Sequence, residues 1–207
     1  MWRSALYLRR RAARRKGGVV DPRLPALWFV TDPARVADPV AVAERLPRGA
    51  GVIYRSFGRP NAEAVGRALA RVARARGLIL LVGLDAKLAA KIGAQGVHLP
   101  ERALHLAPKL KRQRPKWLIT GAAHGVSALR RAERFGLDAA LVSPVFVSNS
   151  ASAGRPLGVT RFAALARASA TPVYALGGIT GATARRLRDS GAIGFAAVGG
   201  IDKMSKI

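Results

Sequence analysis

The sequence predicts an α/β protein in which eight parallel strands alternate with helices. After Pro25, short apolar runs are followed by small or polar turns and by amphipathic segments rich in Ala, Arg and Leu, a pattern typical of strands connected by crossover helices. The apolar runs are continuous, as expected for strands buried on both faces. Each unit takes about 20 to 30 residues and the strand count stops at eight, which favours a closed (β/α)8 barrel of the TIM type over an open doubly wound sheet.

The same pattern gives each element a position in the chain. Strands are predicted at residues 27–31, 51–55, 78–82, 96–99, 117–122, 139–143, 172–176 and 194–198. Helices are predicted at 39–46, 61–76, 86–92, 126–135, 161–168 and 182–190, with a short or broken helix at 103–112 because that segment contains Pro108. Little chain follows the last strand, so the eighth helix is expected to be missing or reduced to a turn. We predict a basic N-terminal extension (1–26) and a TIM-barrel domain (27–207).

The chain is strongly basic, with 36 basic and 11 acidic residues and a formal net charge of +25. Such an excess favours phosphorylated ligands, nucleic acid or an anionic membrane surface. Residues 1–16 are expected to form a basic helix or arm outside the barrel that takes no part in catalysis, while a targeting peptide and a helix lying on a membrane stay open as alternatives. The basic residues of this segment are Arg3, Arg9, Arg10, Arg11, Arg14, Arg15 and Lys16.

The remaining basic residues are spread over predicted outer helices rather than gathered at the strand ends. Spread charge of this kind predicts no specific nucleic-acid partner, only weak binding to polyanions that fades between roughly 50 and 200 mM salt. A further basic cluster is expected on a loop: Lys109, Lys111, Arg112, Arg114 and Lys116.

The chain contains no cysteine, which excludes disulfides, thiolate metal sites and a cysteine nucleophile. It also lacks an apolar stretch long enough for a transmembrane segment. We expect a cytoplasmic protein, and the sequence leaves open whether copies associate into a homo-oligomer.

Two predicted strands end in paired glycines, Gly177-Gly178 after strand seven and Gly199-Gly200 after strand eight. Glycines let a backbone approach a ligand closely, and the helix that begins near Thr180 presents N–H groups to an anion. TIM barrels commonly bind phosphate after these two strands. A phosphorylated small-molecule substrate is therefore expected there, with two ordinary glycine turns as the alternative.

Other candidate residues follow neighbouring strands. His124, after strand five, can move protons near neutral pH, and Arg55, at the end of strand two, suits an anionic substrate. The polar loop after strand six, which contains Ser148 and Ser150, is typical of a ligand lid. His98 is expected to be a packed, hydrogen-bonded core residue.

Five segments, taken in order, resemble the thiamine phosphate synthase/TenI superfamily over about residues 27–201. They are WFVTD at 28–32, GAQGVHL at 93–99, SPVF at 143–146, RPLG at 155–158 and ALGGI at 175–179. The resemblance implies a TIM barrel that binds a thiazole phosphate at Gly177, Gly178, Gly199 and Gly200. In the synthase, that thiazole condenses with a pyrimidine pyrophosphate and Mg²⁺-bound pyrophosphate is released.

The chain departs from the synthase pattern at the pyrophosphate end. The family's Gln-x-Arg-x-Lys is present only as Arg55, with Phe57 in place of the lysine, and its Asn-Asp after strand three reads Gly83-Leu84. The family's acid after strand four falls near Ala103. Its Thr-x-Thr-Lys loop is represented by residues 148–151, which retain two hydroxyl side chains, on Ser148 and Ser150, but no lysine.

These departures are similar to those of the TenI branch, whose members tautomerise a thiazole carboxylate phosphate with a histidine proton relay and no metal. The matching histidine is His124, although Ala122 replaces the family's serine. The leading expectation is a TenI-like tautomerase with no cofactor. A genuine synthase, with Mg²⁺ bound by residues such as Asp85 and Glu101, is the first alternative, and a non-catalytic sensor or interaction protein is the second.

Overall fold

The protein folds as a closed barrel in which each parallel strand pairs with the next along the chain and β8 pairs with β1. The computed structural model describes residues 1–15, 20–148 and 154–199. The strands are β1 Leu27–Val30, β2 Gly51–Tyr54, β3 Ile79–Gly83, β4 Gly96–Leu99, β5 Leu118–Ala123, β6 Ala139–Val142, β7 Val173–Leu176 and β8 Gly194–Ala197. The prediction of a (β/α)8 barrel is confirmed.

The helices lie outside the strands. They are α1 Trp2–Arg15, α2 Pro39–Glu44, α3 Ala62–Arg76, α4 Ala86–Ile92, α5 Ala107–Gln113, α6 Val126–Arg134, α7 Gly158–Ala168 and α8 Gly181–Arg185. A 3-10 helix, Glu101–Leu106, precedes α5, so the expected break near Pro108 is real. Pro108 is accommodated in the first turn of α5, where a missing N–H costs no helical hydrogen bond.

One expectation about the basic residues is wrong. Lys109, Lys111 and Arg112 lie within α5 rather than on a loop, because the helix restarts at Ala107 instead of ending at the proline. Lys111 is also paired, with its Nζ 2.8 Å from a carboxylate oxygen of Asp138.

The N-terminal end of the barrel is filled by Trp28 and Tyr174, which are fully buried and meet edge to face with ring centroids 6.2 Å apart. The Tyr174 hydroxyl donates a hydrogen bond to the Pro25 carbonyl over 2.6 Å. Glycine is required at Gly51, because a β-carbon there would lie 2.2 Å from the Trp28 ring. Access to the interior is thus left to the opposite end, formed by the loops after the strands, which we call the barrel mouth.

Helix α1 is packed against the barrel. Its apolar face places Ala5 and Leu8 in the main hydrophobic core, and the helix contacts β8 and α8. Helix α1 therefore covers part of the surface beside β8. A helix following β8 would lie next to this surface. The sequence predicts that the helix after β8 is missing or reduced to a turn, but residues 200–207 lie outside the described residues. The boundary between the N-terminal extension and the barrel domain at residue 26 stays a prediction.

No helix among the described residues is both long and apolar enough to cross a membrane.

Candidate active site at the barrel mouth

His124 stands just after β5 and its imidazole is exposed at the barrel mouth. Its ring nitrogen Nδ1 lies 2.8 Å from the carbonyl oxygen of Ser143, which follows β6. A carbonyl can only accept, so Nδ1 carries the hydrogen of this bond. When the ring is neutral, Nε2 is therefore the unprotonated nitrogen, and it is the atom able to accept a proton from a ligand.

Glu101 holds the backbone of the histidine loop. One carboxylate oxygen accepts the N–H of His124 over 3.1 Å, and the other lies 2.6 Å from Nη2 of Arg131 on α6. Hydrogen bonds to an ionised carboxylate are stronger than hydrogen bonds between neutral groups. Glu101 and Ser143 could not be recognised from the sequence as partners of His124, since both contacts join residues about 20 positions apart and no local motif marks them.

Arg55 is tied to the end of β1. Its Nε donates to the Thr31 carbonyl over 2.7 Å, and its Nη2 lies 3.2 Å from Oδ2 of Asp32. Burial lowers the pKa of Arg55, the Asp32 carboxylate opposes that shift, and the nearby cation of Arg35 adds to it. Arg55 stays a cation, but part of its hydrogen-bonding capacity is already engaged within the protein.

His98 lies beside this arginine in β4, and its ring nitrogen Nδ1 shares a hydrogen bond of 2.9 Å with the Thr120 hydroxyl. Burial, with a smaller contribution from the positive charge of Arg55, lowers the pKa of His98 to about 3. The ring is thus neutral at physiological pH, and the expectation of a packed, hydrogen-bonded histidine agrees with the structure.

The glycine turn after β7 packs against the loop after β6. Gly177 and Gly178 have φ angles of 93° and 65°, a region that favours glycine. A β-carbon on Gly178 would lie 2.4 Å from the carbonyl oxygen of Val147, and one on Gly177 would lie 2.9 Å from Cα of Pro144. These glycines therefore have a packing role, which the sequence analysis did not assign.

Helix α8 begins directly after this turn. The hydroxyl groups of Thr180 and Thr183 accept each other's backbone N–H in a capping box. The N–H groups of Gly181 and Ala182 also lie in the first turn, where a helix offers no acceptor of its own. They point to the same end of the barrel as the glycine turn.

Gly199 lies at the end of β8, and a β-carbon on it would sit 3.9 Å from Nη2 of Arg35. Arg35 is exposed on the loop after β1, and no sequence motif marks it as a candidate. Ser148 is half-buried at the end of the described part of the loop after β6. The candidates Ser150 and Gly200 lie outside the described residues.

Apolar side chains stand on the rim of the mouth. Phe57, after β2, is 66% exposed, Leu84, after β3, is 41% exposed, and Val147, after β6, is 80% exposed. Phe57 and Leu84 have positive φ angles of 49° and 63°, which are rare for bulky residues and tend to occur at functional sites. The Arg55 guanidinium stacks 5.1 Å from the centre of the Phe57 ring.

The carboxylates nearest the strand ends are engaged in structural contacts. Asp85 accepts the Leu88 N–H as the N-cap of α4, Asp32 pairs with Arg55, and Glu101 pairs with Arg131. Within the described residues, no three acidic or histidine side chains converge as a metal site would require. Asp85 and Glu101, the Mg²⁺ ligands expected for the synthase alternative, thus each take part in a structural contact.

The fold and the mouth together define a (β/α)8-barrel protein with cationic side chains and glycine turns at the carboxyl ends of its strands. Residues 27–201 match the family model described as thiamine monophosphate synthase. The chain belongs to this family, and the resemblance read from the sequence is confirmed.

Individual relatives agree with the family match. A putative thiamine-phosphate synthase 2 of Aquifex aeolicus is 32% identical over 58% of this chain and 64% of its own length. The thiamine-phosphate synthase of Chlorobium luteolum is 30% identical over 88% of both chains. In structure, the chain is similar to a thiamine phosphate pyrophosphorylase from Pyrococcus furiosus, with a TM-score of 0.73, 22% identity and 86% of each chain covered, and this similarity shows the fold.

Proposed function

We propose that this protein is a divergent thiamine-biosynthesis enzyme that binds a thiazole phosphate at the barrel mouth and acts as a TenI-like tautomerase. His124 is the acid/base of the reaction, and the glycine turns after β7 and β8 receive the phosphate. The observation that carries the proposal is the hydrogen bond from His124 Nδ1 to the Ser143 carbonyl, because it leaves Nε2 available to take up a proton.

In this reaction His124 transfers a proton between two positions of one substrate. Nε2 removes a proton from one position of the substrate ring, the resulting imidazolium keeps its bond to the Ser143 carbonyl, and the proton is returned to another position of the substrate. Glu101 keeps the loop in place through its bond to the backbone of His124. No electron acceptor or second substrate is needed, which agrees with a mouth whose carboxylates are engaged in structural contacts.

The phosphate end is supported by geometry and charge. The first turn of α8 provides the N–H groups of Gly181 and Ala182, and Gly199 follows β8 with Arg35 beside it. Arg55 adds a second cation held by Asp32. Phosphate monoesters are bound in this way by helix first turns and arginines.

A genuine thiamine phosphate synthase is the second candidate, favoured by the names of relatives that are 30–32% identical. The rim residues oppose it. Phe57 stands in place of the lysine of the synthase pattern, and Gly83-Leu84 in place of its Asn-Asp, so these positions offer no charge to a metal-bound pyrophosphate. Asp85 already serves as a helix cap.

Parallel assays separate these functions. The purified protein is incubated either with a thiazole carboxylate phosphate, followed by proton NMR of its tautomer, or with thiazole phosphate, pyrimidine pyrophosphate and Mg²⁺, followed by thiamine phosphate formation. We expect turnover in the first assay that His124→Ala abolishes. Robust turnover in the second would establish the synthase and overturn the proposal.

A non-catalytic sensor gives a different result in the same experiment. It would bind thiazole phosphate with unchanged affinity in wild type and His124→Ala and would turn over neither substrate. That outcome would also contradict the tautomerase.

A further inference from the structure

Arg35 stands where a phosphate on the glycine turn of β8 would be within reach. It belongs to the loop between β1 and α2 and is exposed. Its Nη2 atom lies 3.9 Å from the point where a β-carbon on Gly199 would sit. The guanidinium thus lies beside a backbone position that has no side chain, where a ligand can approach the main chain closely.

The loop that carries Arg35 is fixed by Asp32. One carboxylate oxygen of Asp32 accepts the Ala34 N–H over 3.0 Å, and the Asp32 carbonyl accepts the N–H groups of Arg35 and Val36. The other carboxylate oxygen lies 3.2 Å from Nη2 of Arg55. Asp32 therefore contacts both arginines: its carboxylate pairs with the side chain of Arg55, and its carbonyl accepts the backbone N–H of Arg35.

The side-chain charges of Asp32, Arg35 and Arg55 do not balance. Arg35 is close enough to Arg55 to disfavour the charged form of the latter, and Asp32 offers one negative charge against two positive ones. Among the described residues, Arg35 has no ion pair of its own, whereas Arg55 has Asp32. A dianionic group at Gly199 would supply the missing negative charge and relieve the repulsion between the two guanidinium groups.

We propose that Arg35 is a phosphate-binding residue that selects monoester dianions at the barrel mouth, with Asp32 as the residue that positions it. This inference rests on the proposed phosphate site but not on the tautomerase reaction. The half-buried Arg55 contributes positive charge to this site, while the exposed Arg35 contacts the ligand.

Binding measurements on matched variants test the inference. Affinity for inorganic phosphate and for a thiazole phosphate is measured by calorimetry for wild type, Arg35→Gln, Arg35→Lys and Arg71→Gln. Arg71 is exposed on α3, away from the mouth, so Arg71→Gln removes the same charge elsewhere. Thermal unfolding of each variant verifies that the fold is retained.

We expect Arg35→Gln to weaken both ligands about tenfold or more, as loss of a charge-assisted contact does. Arg35→Lys should keep part of the affinity, and Arg71→Gln should bind like wild type. Equal affinity of Arg35→Gln and wild type would overturn the inference while leaving the proposed function in place. Arginine-dependent phosphate binding without tautomerase turnover would support the inference and contradict the proposed function. A wild type that binds neither ligand would overturn both.

Discussion

His124 and Ser143 join two neighbouring loops of the barrel mouth, because the imidazole Nδ1 of the first donates a hydrogen to the backbone carbonyl of the second over 2.8 Å. The bond fixes the tautomer of the ring through a main-chain atom. A main-chain acceptor on the neighbouring loop thus holds the imidazole in one orientation, as carboxylate partners hold histidines in other proteins.

The first prediction concerns this histidine. His124→Gln should lower the turnover of a thiazole carboxylate phosphate by about 10²- to 10⁴-fold, the usual contribution of an acid/base group. Its KM should change little, because the ring acts on protons rather than on the phosphate. Steady-state kinetics measure both values.

His105 provides the matched control, since it is exposed on the 3-10 helix before α5. His105→Gln should have wild-type kinetics. If His124→Gln also retained wild-type turnover, the assigned proton relay would have to be abandoned.

The second prediction concerns the glycine turn after β7. Gly178→Ala places a β-carbon 2.4 Å from the Val147 carbonyl oxygen in a backbone with a positive φ. We expect the loop after β6 to shift, the affinity for thiazole phosphate to fall, and the free energy of unfolding to drop by about 1 to 3 kcal/mol. Calorimetric titration and denaturant unfolding measure these effects.

Gly181→Ala is the comparison variant for this turn. Among the described residues, no atom beyond its chain neighbours and the backbone of its own helix lies within 4 Å of a β-carbon built there, so its stability should stay within about 0.5 kcal/mol of wild type. A Gly178→Ala protein indistinguishable from Gly181→Ala would show that the packing of the turn has no influence on the site.

The third prediction is a pH dependence of stability. The pKa of His98 is lowered to about 3 by burial and by Arg55, whereas an unfolded chain titrates its histidines near 6.5. Between these values the unfolded state binds the extra proton. The stability contribution of the neutral ring is therefore complete above about pH 6.5 and is lost as pH falls towards 3.

Chemical denaturation across pH 4 to 6 tests this sign. His98→Gln should remove a slope of about 1.4 kcal/mol per pH unit, equivalent to one proton. The exposed His105→Gln should leave the slope unchanged. A His98→Gln protein with the wild-type slope would mean that the ring is protonated in the folded state.

The fourth prediction concerns α1. Leu8 is 2% exposed in the main core, so Leu8→Ala should cost about 2 to 5 kcal/mol of unfolding free energy. The exposed Arg10 on the same helix should be replaceable by Gln within about 0.5 kcal/mol. Equal stability of the two variants would show that the packing of α1 contributes nothing to the stability of the barrel.

The order of strands and the barrel closure could be predicted from the sequence because most strands are short apolar runs followed by a turn residue, and because eight such runs alternate with helical segments. Asp85 before α4 could also have been recognised as an N-cap, and its spacing from Leu88 is that of a capping side chain. The contacts of Glu101 with His124 and Arg131 could not, because they depend on how three separate loops meet in space.

The glycines show the limit of the sequence in another way. Gly178 and Gly199 look alike as strand ends, but a β-carbon on the first would collide with the loop after β6, whereas one on the second would meet the Arg35 guanidinium at 3.9 Å and no other described side chain or backbone within 4 Å beyond its chain neighbours. A glycine motif predicts where the backbone can adopt a positive φ angle or be approached closely. What approaches it, a neighbouring loop or a ligand, is decided by the tertiary structure.

The central claim is that this barrel mouth binds a phosphate monoester at the ends of β7 and β8. Titration of the ¹⁵N-labelled protein with a thiazole phosphate tests it most directly. The account predicts saturable shifts of the amide signals of Gly177, Gly178, Gly181 and Gly199, with much smaller effects at Gly136 on the loop after α6. Absence of saturable shifts at these glycines at millimolar ligand would contradict it.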